Sequence, residues 1–201
     1  VLYKENGFKK KEDAERLIGE LSSEPAGPAT VIGIEKKKEN KNAPLLYNLA
    51  ELQNDCSKYF KISPDETLRI VQELYEKKMT TYPRTDARVL STAVAKEIHK
   101  NIGGLRNYAL AAPFAKEVLE QGTYKNIAKT RYVNDKQITD HYAIIPTGQG
   151  LNNLAGLAPT AAKVYEVIVR RFLSIFYPPA VYQKFSLTLQ VKEESFFASF
   201  K

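Results

Sequence analysis

The sequence predicts an α+β protein of more than one domain, with a mainly helical body inserted into a small β-rich piece. Three observations predict it. Runs rich in alternating or β-branched apolar residues lie towards both chain ends, at Thr30–Glu35, Tyr182–Val191 and Ser195–Phe200. Apolar residues at helical spacing fill the interval between them. Pro44 on one side and Pro178-Pro179 on the other mark the two changes of pattern. A chain of 201 residues is long enough for one large domain or two small ones.

Taken in order, residues 1 to 10 are mixed and basic. Asp13–Leu21 reads as a helix with Ala14, Leu17, Ile18 and Leu21 on one face. Pro25, Gly27 and Pro28 mark a loop. Thr30–Glu35 is a strand followed by Lys36, Lys37, Lys38 and Lys41, a basic run that reads as a solvated strand end or as a phosphate contact. Leu46, Leu49, Leu52, Cys56 and Tyr59 have helical spacing up to about Tyr59. Ser63-Pro64-Asp65-Glu66 is a strong helix start, with Ser63 as N-cap, Pro64 in the first turn and Glu66 closing a capping box. That helix runs through Leu68, Val71, Leu74 and Tyr75, and a strand is expected at Met79–Tyr82. Two helices joined by a short turn, then a strand, look like a helix-turn-helix unit, an arrangement also common away from DNA. Thr92–Asn101 is expected to be a helix ended by Gly103-Gly104, and Pro113–Gln121 another ended by Gly122. Lys125–Val133 reads as an irregular connection, and Asp135–Gly150 has little periodicity. Thr160 is expected to cap the longest helix, stopped by Pro178-Pro179.

The formal net charge of +7 favours an anionic partner, nucleic acid first, against the plainer reading of a solvated basic surface. One cysteine, Cys56, excludes an internal disulfide, and with two histidines, His99 and His141, it argues against a structural zinc site. The hydrophobic fraction of 43% can supply a core, yet no stretch approaches a membrane span and no secretory signal is evident. Val1 at the start and a strand-like run ending at Lys201 suggest a piece of a longer protein.

The stretch that carries chemistry is Met79-Thr80-Thr81-Tyr82-Pro83-Arg84-Thr85-Asp86. A free phenol titrates near pH 10 and is a poor nucleophile at neutral pH. It can attack a phosphodiester where cations stabilise the phenolate and the transition state. Arg84 suits that task, because its planar fork grips two phosphate oxygens. On a strand, Tyr82 and Arg84 would share a face, and Asp86 could orient Arg84 or a backbone group. On spacing alone the plainer reading of Tyr82 is a half-buried strand aromatic, in a chain with twelve tyrosines.

Tyr82-Pro83-Arg84-Thr85-Asp86, between Leu74-Tyr75-Glu76-Lys77 and Leu90-Ser91, resembles the active-site region of type IA DNA topoisomerases, and most of all their topoisomerase III branch. Pro44-Leu45-Leu46-Tyr47-Asn48-Leu49 with Glu51-Leu52-Gln53 is similar to the entry into that family's catalytic-tyrosine domain. Thr139-Asp140-His141, followed by Ala143-Ile144-Ile145-Pro146-Thr147, resembles its histidine motif. Tyr165, Ile168-Val169-Arg170-Arg171-Phe172 and Phe176-Tyr177-Pro178-Pro179-Ala180 resemble the helix leading out. The match spans most of residues 44 to 182, and the tyrosine and histidine motifs together are specific.

The resemblance implies a multidomain α+β fold. A mainly helical, helix-turn-helix (CAP-like) domain bearing the tyrosine, residues 46–177, would be inserted into a small β-rich arch or hinge domain made of residues 1–45 and 178–201. It implies that Tyr82 attacks a single-strand phosphodiester to form a 5′-phosphotyrosine link, that another strand passes through the gap, and that the 3′-hydroxyl reverses the link without ATP. Arg84 would hold the scissile phosphate and His141 would assist at the site or hold DNA near it. Arg84, Thr85, Asp86, Arg88, Gln53, Thr139 and Asp140 would contact DNA, with single strands preferred. The family binds Mg²⁺ through an acidic cluster on a separate Toprim domain. This chain has no Asp-x-Asp pair, so no cofactor is expected within it and Mg²⁺ is expected of the intact enzyme. The implied partners are DNA and the remaining domains of a parent chain, with no membrane, in the cytoplasm on the bacterial nucleoid. Two departures stand out: Ala87 replaces a usual serine or other small polar residue, and Tyr142 a frequent second histidine. The alternative reading is a non-catalytic helix-turn-helix DNA-binding module with a structural tyrosine; a basic interaction domain explains the charge but not the ordered motifs.

Overall fold

The structure is a computed structural model that describes residues 7–23 and 27–201. The expectations for residues 1 to 6 and for Pro25 lie outside the described residues. The chain divides into two compact units, Val1–Lys41 with Pro179–Lys201, and Asn42–Pro178.

The first unit holds helix α1 (Lys11–Ser22) and a three-stranded antiparallel sheet, β1 (Thr30–Lys41), β2 (Ala180–Val191) and β3 (Glu194–Phe200), in the order β1-β2-β3. β1 is twice as long as expected and takes in the lysine run. Lys36, Lys37 and Lys38 pair with Phe185, Lys184 and Gln183 across the β1–β2 ladder, so the basic run is strand rather than strand end. Cross-strand pairing supplies what holds these residues extended: the Phe185 and Phe200 rings stack at 5.0 Å, and the Lys36 ammonium lies 5.6 Å from the Phe185 ring centre. A bulge between Val31 and Gly33 shifts the register. The turn between β2 and β3 is tied to the end of α1 by Lys192, whose Nζ donates to the Glu20 carbonyl at 2.6 Å and to Ser23 Oγ at 2.9 Å. The apolar stripe expected on α1 is covered only in part. Leu17 is buried, while Ile18 is 62% exposed. One helix and three strands have too little surface to bury a full stripe.

The second unit holds α2 (Leu49–Phe60), α3 (Pro64–Glu76), α4 (Thr92–Gly104), α5 (Ala112–Gln121) and α6 (Pro159–Ser174). Short 3₁₀ turns lie at Leu105–Asn107, Thr123–Lys129, Asp135–Gln137 and Leu151–Gly156. Three helices begin on side-chain caps: Asn48 Oδ1, Ser63 Oγ and Ser91 Oγ accept from the amides of Glu51, Glu66 and Val94 at 2.9, 3.1 and 3.1 Å. The Ser63 start therefore forms as its sequence suggests. Helix α6 has no side-chain cap; Ala158, two residues ahead of the expected Thr160, occupies the cap position and Pro159 the first turn.

Seven residues of α6, from Ala161 to Leu173, are buried, and this helix packs on α2 and α3. Burying a Val, Leu, Ile or Phe side chain is worth about 2 kcal/mol, so α6 anchors the unit. Arg171 closes the cluster at one end. It bonds Asp55 at 2.8 Å, the Tyr47 hydroxyl at 3.0 Å and the Leu45 carbonyl at 3.0 Å, and lies 4.0 Å from the Tyr47 ring centre. Leu46 and Tyr47, expected to start α2, are instead extended and buried, and Tyr47 bridges Ile144. Gly103 and Gly104 are the last two residues of α4, so the pair ends the helix as expected, and the chain passes on into the 3₁₀ turn Leu105–Asn107. Packing adds a second demand on this pair: a Cβ on Gly104 would stand 2.1 Å from the Gly148 carbonyl oxygen, so the helix must be bare where the 147–150 loop crosses it.

Candidate active site

The Met79–Tyr82 stretch is not a strand. Thr80 alone pairs, with Pro146, as an isolated antiparallel bridge. Pro83 can donate no amide, and the chain turns there instead of extending a ladder. What fixes the segment is a set of hydrogen bonds to the residues around His141. The Thr81 amide donates to the Ile145 carbonyl at 3.0 Å, and Thr81 Oγ1 donates to the Ala143 carbonyl at 3.0 Å while accepting from the Ile145 amide at 2.9 Å. The Thr147 amide donates to the Met79 carbonyl at 3.0 Å, and Thr147 Oγ1 to the Lys78 carbonyl at 2.5 Å. Asn101 of α4 donates to the Pro146 carbonyl at 3.0 Å, anchoring the second segment to a helix.

Thr85 completes the join. It is buried, donates Oγ1 to the His141 carbonyl at 3.0 Å and accepts from the Ala87 amide at 3.1 Å; its own carbonyl accepts from the Leu49 amide at 3.2 Å. Residues 82 and 141, 59 apart in sequence, are thereby brought ring to ring. The Tyr82 and His141 ring centres are 4.4 Å apart at 42°, and Tyr75 at the end of α3 meets Tyr82 edge-on at 5.3 Å and 82°. The half-buried Tyr82 lines an open cleft of about 550 Å³ with Tyr75, Lys78, Thr80, His141 and Tyr142. Burial raises the Tyr142 phenol above its ordinary pKa, so Tyr142 is a neutral wall where a histidine could carry charge.

The other expected site residues are dispersed. Arg84 is exposed, is not part of the cleft wall and forms no hydrogen bond or ion pair with the described residues. The Asp86 carboxylate does not hold it; Asp86 contributes its carbonyl, which accepts from Asn48 Nδ2 at 3.1 Å. Arg88 pairs with Glu51 at 3.2 Å and donates to the Leu46 carbonyl at 3.3 Å. Gln53 donates to the Pro64 carbonyl at 3.0 Å and so braces the α2–α3 turn. Thr139 and Asp140 are exposed beside His141. His99 is exposed on α4. Lys78, Thr80 and Gln149 line the cleft without having been singled out for chemistry. Tyr75 appears in sequence as a helix-face residue, and its position next to the last residue of α3 is the signal that it could reach Tyr82.

Among the described residues no group of three or more His, Cys, Asp or Glu side chains could hold a metal ion, and Glu76 is the one carboxylate on the cleft wall. These residues do not fit a Mg²⁺ site. Among the described residues no helix is long and apolar enough to cross a membrane.

A family model described as DNA topoisomerase matches residues 2–201. DNA topoisomerase 3 of Bacillus cereus is 36% identical over 196 residues, covering 96% of this chain and 26% of the relative. DNA topoisomerase 3 of Bacillus subtilis is 36% identical over 187 residues, covering 92% of this chain and 25% of the relative. Full-length topoisomerase I from Thermotoga maritima has a similar fold, with a TM-score of 0.59 at 22% identity over 93% of this chain and 29% of that one. The chain thus spans about a quarter of the length of the curated relatives it matches. Matched along nearly all its length, and by relatives on the topoisomerase 3 branch, this chain belongs to the type IA DNA topoisomerase family.

Proposed function

We propose that this chain is the tyrosine-bearing part of a type IA topoisomerase that cleaves and reseals one DNA strand. The observation that carries the reading is the Tyr82 ring, held between Tyr75 and His141 on the wall of an open cleft. Tyr82 Oη attacks the phosphorus of a single-strand phosphodiester, a 5′-phosphotyrosine bond forms and the 3′-oxygen leaves with a proton. The reverse attack by that 3′-hydroxyl reseals the strand and returns the phenol. One phosphoester replaces another, so no ATP is consumed. Arg84, exposed and without a hydrogen bond or ion pair among the described residues, takes a phosphate oxygen of the strand, a task its bidentate fork suits. His141, in contact with the nucleophile, assists by hydrogen bonding at the site or by holding the strand.

Thr85 acts through other groups, since its hydroxyl is spent on the His141 carbonyl and the Ala87 amide. Asp86, Thr139 and Asp140 are exposed beside the site, and with Arg88 and Gln53 they remain DNA contacts of the proposal. Mg²⁺ is supplied from outside these residues, by the remaining domains of a longer chain, and the 201-residue chain alone does not relax supercoiled DNA. Its units 1–45 with 178–201 and 46–177 act as hinge and tyrosine domain. The place of action is DNA in the cytoplasm.

In a full-length enzyme carrying this segment, Tyr82→Phe is expected to abolish the covalent protein–DNA adduct trapped by denaturant while oligonucleotide affinity stays within about twofold, because the ring is kept and the nucleophile lost. An adduct formed by the phenylalanine variant assigns the nucleophile elsewhere. Competition between single- and double-stranded oligonucleotides tests the strand preference; a duplex preference favours a helix-turn-helix reader.

A further inference from the structure

We propose that Lys78 is the cation that holds a DNA phosphate inside the Tyr82 cleft, an assignment that rests on reading this cleft as a strand-binding site. Three observations converge on this residue. First, Lys78 lines the cleft wall, whereas Arg84 does not. Its neighbours' charges are engaged: Lys77 pairs with Glu73 at 3.6 Å, and Glu76 accepts from Gln72 at 3.2 Å. The Lys78 ammonium is exposed and forms no ion pair among the described residues.

Second, its backbone is held in the left-handed region at φ 60°, where a side chain is disfavoured and glycine is usual just past a helix end. The position is clamped from both sides. Its amide donates to the Tyr75 carbonyl at 2.8 Å, its carbonyl accepts from Thr147 Oγ1 at 2.5 Å, and Gly150 packs so closely that a Cβ there would lie 2.3 Å from the Lys77 carbonyl oxygen. The stem of Lys78 therefore leaves a rigid point on the cleft wall, which fixes where its cation can reach. Third, Thr80 on the same wall is 1% exposed and its Oγ1 has no hydrogen-bond partner. A buried hydroxyl without a partner is costly, and a bound oxyanion supplies an acceptor for it. A phosphodiester satisfies both groups at once: an oxygen for the ammonium and an acceptor for the hydroxyl, beside the phenol.

Lys61 is the internal control. It also sits at positive φ, 58°, at the end of α2, but it is not part of the cleft. The experiment measures binding of a fluorescein-labelled oligothymidylate to the 201-residue chain by anisotropy across a sodium chloride series. Lys78→Gly relieves the backbone and removes the charge; Lys78→Gln removes the charge and keeps the backbone. Both are expected to weaken binding several-fold and to lower the slope of log affinity against log salt by about 0.7, one phosphate contact's worth for a single strand. Lys78→Arg retains the slope, Lys61→Gly changes neither affinity nor slope, and neither glycine variant lowers the melting temperature.

Lys78→Gln and Lys78→Gly slopes equal to that of the unsubstituted chain overturn the proposal. So does an equal loss in Lys61→Gly, and so does an unsubstituted chain that binds no oligothymidylate. The adduct assay with Tyr82→Phe separates the two readings. Loss of adduct with an unchanged Lys78→Gln slope keeps the nucleophile and removes the cation. Persistence of the adduct with a lowered slope does the reverse.

Discussion

At the scale of single residues, the site is held together by threonines. Thr81, Thr85 and Thr147 each spend a hydroxyl on backbone of a segment more than fifty residues away. A side-chain hydroxyl both donates and accepts, so one residue can join two irregular segments that have no ladder between them. Thr85 is the clearest case, since its Oγ1 satisfies a carbonyl and an amide together. Thr85→Ala leaves both without that partner and is expected to cost about 1–3 kcal/mol in a urea titration. It should also reduce adduct formation in the full-length enzyme, because the His141 segment loses its tether, while Thr85→Ser retains stability and adduct. Little of this was legible in the sequence. The Tyr-x-Arg spacing suggested two groups on one strand face. The segment turns instead at Pro83, and the ring that meets Tyr82 comes from His141, a residue only the histidine motif had brought forward.

At the scale of elements, sequence signals close to the backbone read well and those decided by packing did not. Ser63 caps its helix as its sequence suggests, because capping needs no partner outside the first turn. The glycines of α4 end the helix where the sequence puts its end, but nothing in the sequence shows that the 147–150 loop crosses Gly104. Gly103 and Gly104 form a matched test. A Cβ on Gly103 meets nothing within 4 Å, while one on Gly104 runs into Gly148 backbone. Gly103→Ala is expected to stabilise the helical unit by about 0.5–1 kcal/mol through helix propensity. Gly104→Ala is expected to destabilise it by about 1–3 kcal/mol or more through overpacking, with the 147–150 loop displaced. Chemical denaturation of the two variants side by side checks both signs. Oligothymidylate binding should fall in the second alone, because that loop carries Thr147, which fixes Lys78.

At the scale of the whole molecule, the two units are built on different principles. Unit 42–178 has a continuous buried core around α6, whereas no residue of the sheet in the other unit is fully buried, and Val31, Ile34, Phe197 and Phe200 are exposed. The helical unit also encloses protonated groups. Burial pushes the Cys56 thiol up to about 11 and, with the Asp55 hydrogen bond, raises the Tyr47 phenol well above its ordinary value. Both groups hold their protons more tightly folded than unfolded. The stability the thiol contributes is fully present below about pH 9 and is lost as pH rises towards 11; the phenol's contribution is lost only at higher pH. Circular dichroism in urea at stepped pH should show a plateau up to about 9 and then a falling midpoint. Iodoacetamide should modify Cys56 at pH 8 only when the chain is unfolded, since the native thiol is buried and protonated.

By itself the sequence determined what is local or compositional: where most helices and strands lie, that Ser63 caps one of them, the basic balance, and the motifs whose residues stand side by side. These follow from backbone sterics and hydrogen bonds within a few residues. Only the tertiary structure decided that His141 and Tyr75 enclose Tyr82, that Arg88 and Gln53 are bonded within the fold, that the 147–150 loop crosses Gly104 and that Lys78 faces the cleft. Each depends on which distant segment comes to lie against it. Close packing and the satisfaction of buried polar groups settle that over the folded chain as a whole.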